Sequence, residues 1–348
     1  MASAPSFDGQ ERRALLPPIM PAELEVPDGR WLGLSGEIFA TGWRVDVVRA
    51  DHAQGDDSAW LATLQQRCCA ILEAIDAQMS PWRATSDLVR FNRARDGEFA
   101  LPEPMRTVVT HAIETAQLTD GAFDPTLHDA VALWGFSAQQ VTDGLPEAEL
   151  LATLTKTRKT WRDLHFDGER ITAQPGLTLD LCAIAKGHAV DAVMAAVQAM
   201  PDAEAALVEI GGELNGWGIR PDGMPWWVAI EGPDGALPVP TMAALCGWAV
   251  ATSGDYRRAF THDGAQYSHA IDPQTLAPVR TGIASATIFD PDCWRADALA
   301  TAMMVMGRKD AIAFANTHAV PCLLQVREPG GIVEYMSEAL QAWLDDDD

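Results

Sequence analysis

Apolar residues along the chain recur at two distinct spacings. Leu61, Leu64, Cys68, Ile71, Leu72 and Ile75 keep helical intervals over 57–78, with Asp57 and Ser58 at the start as capping side chains. A second helical stripe, Val108, Val109, Ala112, Ile113 and Ala116, predicts a helix over 104–118. Trp43, Val45 and Val47 instead alternate with polar neighbours, which predicts a strand over 37–49. Further helices are expected from Thr126 as cap to Trp134-Gly135, over 146–156, from a loop at 180–187 to Val197, and over 294–307. Further strands are expected at 177–181 (after a hairpin through Asp167-Gly168), 205–210, 226–231, 247–251, 266–271, 283–288 and 322–327. Helices and strands mix without regular βαβ alternation. The expected fold is therefore α+β, with a mixed, mostly antiparallel sheet and flanking helices. Residues 1–33, rich in Pro and charge, read as an extended arm, 34–344 as the folded domain and 345–348 as an acidic tail.

Composition narrows the classes of partner. The 348 residues suffice for one large domain with a sizeable core, and a formal net charge of −24 argues against nucleic acid and anionic membrane surfaces. Any anionic ligand must be met by local positive charge, backbone N–H groups or a metal. No stretch has the continuous apolar length of a membrane span, and charges occupy the N-terminal region where a signal peptide needs an apolar centre. A cytoplasmic protein is expected as the sequence stands, and a periplasmic one if an export signal has been trimmed. The six cysteines form no CxxC or zinc spacing, so reduced, mostly buried thiols are expected.

Candidate chemistry lies in a few stretches. In WRADALATAMMVMG, 294–307, Asp297 and Thr301 are four residues apart and share a helix face. Two hard oxygens there suit a cation such as Mg2+. The stretch alone equally allows Asp297 to pair with Arg295 and Thr301 to back-bond to its own helix. The loop DLCAIAKG presents Asp180, small residues and Lys186 at a helix start, where N-terminal amides attract phosphate and an ordinary solvated lysine is the alternative. His269, at the end of a strand in SHAIDP, is either a general base or a structural histidine. Gly211-Gly212 and Gly216-Trp-Gly218 precede a strand rather than opening a helix, so a dinucleotide fingerprint is rejected. No GxSxG elbow supports a serine hydrolase.

In order along the chain, MSPWRATSDLVRFN, GAFDPTLHDAVALWGF, DLCAIAKGHAVD, VEIGGELNGWGIRPDG, VATSGDYRRAF, SHAIDPQT and RADALATAMMVMG resemble the FAD:protein FMN transferase family, often called ApbE. The resemblance implies two lobes with the site between them. It implies Mg2+-dependent cleavage of FAD, with the FMN half attached to a Ser or Thr hydroxyl of an acceptor protein and AMP released. By position in these motifs, Asp297 and Thr301 would be metal ligands through their side chains, and Ala183 through its carbonyl. Asp180, Lys186, Ala122, Phe123, Asp124 and Ile271 would face the flavin nucleotide. Trp82 and Phe39 would flank its rings, and His269 would be the base. Two other readings share parts of this site: a Mg2+-dependent FAD pyrophosphatase using water, and a flavin-binding protein without turnover.

Overall fold

A computed structural model describes residues 13–18, 25–137, 145–233 and 240–344. The acidic tail at 345–348 lies outside them. Eight strands form one antiparallel sheet whose spatial order follows the chain: Gly29–Ile38, Thr41–Ala50, Ala203–Ile210, Glu213–Trp217, Trp248–Gly254, Ile283–Asp290, Cys322–Glu328 and Gly331–Met336. One face carries the helices Asp57–Met79, Ala185–Gln198 and Cys293–Met306. On the other face lies a three-stranded sheet of Arg13–Leu15, Thr241–Leu245 and Trp226–Ile230. The Arg13–Leu15 pairing is parallel, so the sheets together are mixed and mostly antiparallel, as the sequence suggests.

The Thr41–Ala50 strand shows why this layering holds. Trp43, Val45 and Val47 enter the helix-side core, while Val48 packs toward the small sheet. A strand buried on both faces fixes its register, because a one-residue slip would exchange the two sets. A satellite cluster of Ala130, Trp134, Tyr267, Ile271 and Leu276 stands apart from these layers. The site described below opens between it and the main body.

Several expectations are corrected. The strand expected over 37–49 is a hairpin, Gly29–Ile38 and Thr41–Ala50, turning at Phe39-Ala40. The stretch read as an arm therefore supplies two strands, Arg13–Leu15 and the start of Gly29–Ile38. No strand forms at 177–181; the hairpin after Asp167-Gly168 leads only to Arg170–Thr172. The extended 177–181 backbone is held by a side chain: Asn92 donates to the Leu179 carbonyl at 2.8 Å and accepts the Leu179 N–H at 2.7 Å. Its leucines at every second position, Leu177, Leu179 and Leu181, are all buried and so mimic a strand. Thr126 does not cap the following helix, His128–Leu133. Its hydroxyl goes to Asp124 at 2.6 Å and Lys159 O at 3.2 Å.

Two hairpin tips meet at one end of the sheet. Gly211 and Gly212 turn with φ of 63° and 99°, and Phe39 and Ala40 with 54° and 57°, the positive values a tight two-residue hairpin needs. Glycine adopts these values freely; phenylalanine and alanine are strained in them. Relief of left-handed strain, about 1–2 kcal/mol, exceeds glycine's extra unfolded-state freedom, about 0.4–1 kcal/mol. Ala40 is exposed, so no packing is lost on trimming it. Ala40→Gly is expected to raise the unfolding free energy by roughly 0.5–1 kcal/mol in urea. A loss of stability would show that the turn is unstrained.

Candidate functional site

The centre of the site is set by two helices that hold each other's first turns. Helix Cys293–Met306 has no side-chain cap of its own. Asp191, on helix Ala185–Gln198, accepts the N–H groups of Cys293 and Trp294 at 3.0 and 2.9 Å, and Asn215 donates to the same carboxylate at 2.9 Å. In return, Asp297 accepts the N–H of Gly187 at 3.0 Å. A carboxylate at each helix start satisfies orphan amides and meets the positive end of the helix dipole. The two backbones touch: a Cβ on Gly187 would sit 2.4 Å from the Cys293 carbonyl oxygen. The absence of a side chain at Gly187 thus makes room for a helix.

This exchange has a local consequence. Gly187 N–H is one of the amides ahead of the first helical bond, which His188 N–H makes to the carbonyl of the N-cap residue Ile184 at 3.1 Å. Asp297 satisfies the Gly187 amide, and the Ala183 carbonyl, one residue before the cap, takes no helical bond. The alternatives for Asp297 and Thr301 are not taken: Arg295 pairs with Asp290 at 3.0 Å, and the Thr301 hydroxyl lies 3.1 Å from Ser253 Oγ. Burial raises the Asp297 pKa, opposed by Lys186 and by the Gly187 amide.

All twelve residues singled out from the sequence line a single cavity of about 390 Å³. Phe39 sits at the strained hairpin tip and Trp82, 48% exposed, at the mouth. Ala122, Phe123 and Asp124 form one wall and Ile271 another, while Asp180, Ala183 and Lys186 come from the loop and first turn of the Ala185–Gln198 helix. Asp297 and Thr301 of the Cys293–Met306 helix and His269, just after strand Ala265–Ser268, complete the lining.

Several of these side chains are already engaged. The Asp124 carboxylate accepts from Arg158 at 2.5 Å and from the N–H and hydroxyl of Thr126, which leaves backbone as that wall's free polar surface. The Asp180 carboxylate accepts the Cys182 N–H at 2.9 Å. The Lys186 ammonium pairs with Glu213, a buried carboxylate that sequence reading missed. Glu213 follows Gly211-Gly212 directly in the hairpin, and only the fold puts it beneath Lys186. Burial raises its pKa, and Lys186 opposes the shift. Arg257 is likewise paired, with Glu231.

His269 is held by backbone. Its N–H donates to the Arg258 carbonyl at 3.0 Å, and its ring Nδ1 lies 3.2 Å from the same oxygen. Loss of water around the ring, aided by the charges of Arg258 and Lys186, lowers its pKa to about 4. A neutral ring donating Nδ1–H to Arg258 keeps the Nε2 lone pair available as a base.

A family model described as the ApbE family matches residues 39–324. The chain is 37% identical over 314 residues to a Vibrio cholerae protein named FAD:protein FMN transferase, covering 89% of this chain and 92% of that one. It matches the apo crystal structure of Pseudomonas stutzeri flavinyl transferase ApbE with a TM-score of 0.82 at 33% identity, covering 92% and 98% of the two chains. It matches the flavin transferase ApbE from Vibrio cholerae with a TM-score of 0.81 at 35% identity, covering 91% and 100%.

Gly187→Ala is expected to force the two helix starts apart and cost about 1–3 kcal/mol, the range for overpacking a rigid contact. Urea denaturation measures it, and an unchanged midpoint would mean that the helices are not in contact there. The His269 ring is expected to titrate with a midpoint near pH 4, followed by NMR of its Cε1–H. A midpoint at the ordinary value of about 6.5 would mean that water reaches the ring freely.

Proposed function

The chain belongs to the ApbE family, and from that premise we propose that it is a Mg2+-dependent FAD:protein FMN transferase. It attaches the FMN half of FAD to a Ser or Thr hydroxyl of an acceptor protein and releases AMP. The observation that supports this reading is that Asp297, Thr301, Ala183 and His269 line one cavity.

These oxygens suit Mg2+. The site offers the buried Asp297 carboxylate, the adjacent hydroxyls of Thr301 and Ser253, and the Ala183 carbonyl just before the helix cap. Hard oxygen donors of this kind, completed by phosphate oxygens and water, are what Mg2+ takes. When bound, Mg2+ would offset negative charge on the pyrophosphate.

The chain's own groups account for the remaining chemistry. His269 Nε2 takes the proton of the acceptor hydroxyl as its oxygen bonds to the FMN-side phosphorus. The bond from that phosphorus to the bridging oxygen breaks, and AMP departs with the electron pair. Trp82 and Phe39 flank the flavin rings, and the 122–124 backbone meets their polar edge. Lys186 balances phosphate charge from its anchored position on Glu213. Water in place of the hydroxyl would give an FAD pyrophosphatase from the same groups. Incubation with FAD, Mg2+ and a candidate acceptor separates the two readings: transfer adds the FMN mass to the acceptor, and hydrolysis leaves FMN free.

His269→Ala is expected to slow transfer by about 10²- to 10⁴-fold while FAD still binds, measured by acceptor mass and flavin fluorescence. Parallel loss of FAD binding and thermal stability would reassign His269 as a structural prop. Mg2+ is expected to raise the melting temperature of the wild-type protein and to leave that of Asp297→Ala unmoved, as binding linkage requires. An equal rise in both would remove Asp297 from the metal site.

A further inference from the structure

A shallower groove of about 710 Å³ runs into the mouth of the cavity, and seven residues, including Phe39, Trp82, Phe136 and Arg258, line both. We infer that this groove is the docking site for an extended segment of the acceptor polypeptide, which it delivers hydroxyl first to His269. The inference rests on the transferase reading, since a macromolecular hydroxyl must reach a cavity otherwise filled by the flavin nucleotide.

Three observations identify the occupant as extended polypeptide. The first is continuity with the base: Phe136 packs 5.6 Å from Phe260 in the groove and 6.4 Å from His269 in the cavity, ring centre to ring centre. A chain following these rings along the groove arrives at the imidazole. The second is an available backbone edge. Ala259 and Phe260 of the groove belong to strand Ala259–His262, which pairs on one side with Ala265–Ser268 and has no strand on its other side among the described residues. An extended peptide can add to such an edge through main-chain hydrogen bonds, with its side chains resting on aromatic walls.

The third observation is charge. On a chain of net charge −24, the groove is lined by two arginines and one aspartate. Arg83 is held by Glu73 and Asp76. Arg258 stacks over Trp82 at 5.3 Å, with no carboxylate partner among the described residues. Its guanidinium stands where groove and cavity join, able to meet a carboxylate or a carbonyl of the incoming segment. Its own carbonyl holds His269, so the same residue borders the entering chain and fixes the base.

The test uses the full-length protein and short fluorescent synthetic peptides. Each peptide carries one central Thr or Ser, apolar neighbours, and a single Asp or Lys at varied positions. Binding is read by anisotropy with FAD present, FAD affinity by flavin fluorescence, and transfer by peptide mass. Asp-containing peptides are expected to bind, and Ala259→Glu and Phe260→Asp to weaken them by about tenfold or more with FAD affinity unchanged. Ala259 is exposed, so the test survives if Phe260→Asp fails to fold. Arg258→Glu is expected to reverse the preference toward Lys-containing peptides. Peptide binding that is indifferent to all three substitutions, or absent for every peptide at about 1 mM, overturns the groove assignment. Peptide that binds in the groove yet never gains FMN keeps this assignment and sinks the transferase reading instead.

Discussion

Everything at the site hangs on one exchange between two helices, each giving a carboxylate to the other's first turn. Asp297 is buried and Asp191 half-buried, and an acid drawn out of water without partners is costly. The amides that satisfy them are the groups a helix start leaves unpaired, so each helix removes a liability of the other. Gly187 is the steric condition for this arrangement, because any side chain would collide with the Cys293 backbone. Lys186 lies beside that contact on one helix, Ala183 just before that helix's cap, and Thr301 one turn beyond Asp297 on the other. Their relative positions are thus fixed by backbone geometry rather than by flexible side chains, which suits a site that must hold reacting atoms to fractions of an ångström.

The same economy governs charge. Lys186 sits on Glu213, Arg257 on Glu231 and Arg158 on Asp124, so most cations around the cavity are already paired. Pairing keeps the ammonium and guanidinium groups in place in a body that is acid overall. It also means that an arriving phosphate meets oriented donors rather than a diffuse positive field. His269 is treated differently: a carbonyl orients it, and dryness keeps it uncharged.

Much of this was legible in the sequence, where it depended on neighbours along the chain. The spacing of Asp297 and Thr301 placed both on one helix face, and helical or alternating apolar patterns located most elements. What stayed hidden depended on partners distant in sequence. Asn92 and Leu179 are 87 residues apart, so nothing local told an extended segment held by a side chain from a true strand. Asp191 looks like an ordinary helix-surface acid until the fold brings Cys293 to it, and Glu213 like an exposed hairpin residue until Lys186 descends on it. The strand expected over 37–49 failed for a local reason: Phe-Ala carries none of the Asn or Gly signal of the turn it makes.

The sheet follows chain order, yet its links are very unequal. Some neighbouring strands are joined by two-residue turns, whereas Ala50 and Ala203 are adjoining strand ends with residues 51–202 between them. The entropy of closing a loop grows with its length, and distant pairings are reached late in folding. This loop carries Trp82, the 122–124 wall, Asp180 and Lys186, while His269, Asp297 and Thr301 come from the far side of the closure. On a ribosome the Gly29–Ala50 hairpin emerges first and must wait, one apolar face uncovered, for its third strand. The cavity is complete only once that closure is made, so FAD recognises the closed molecule.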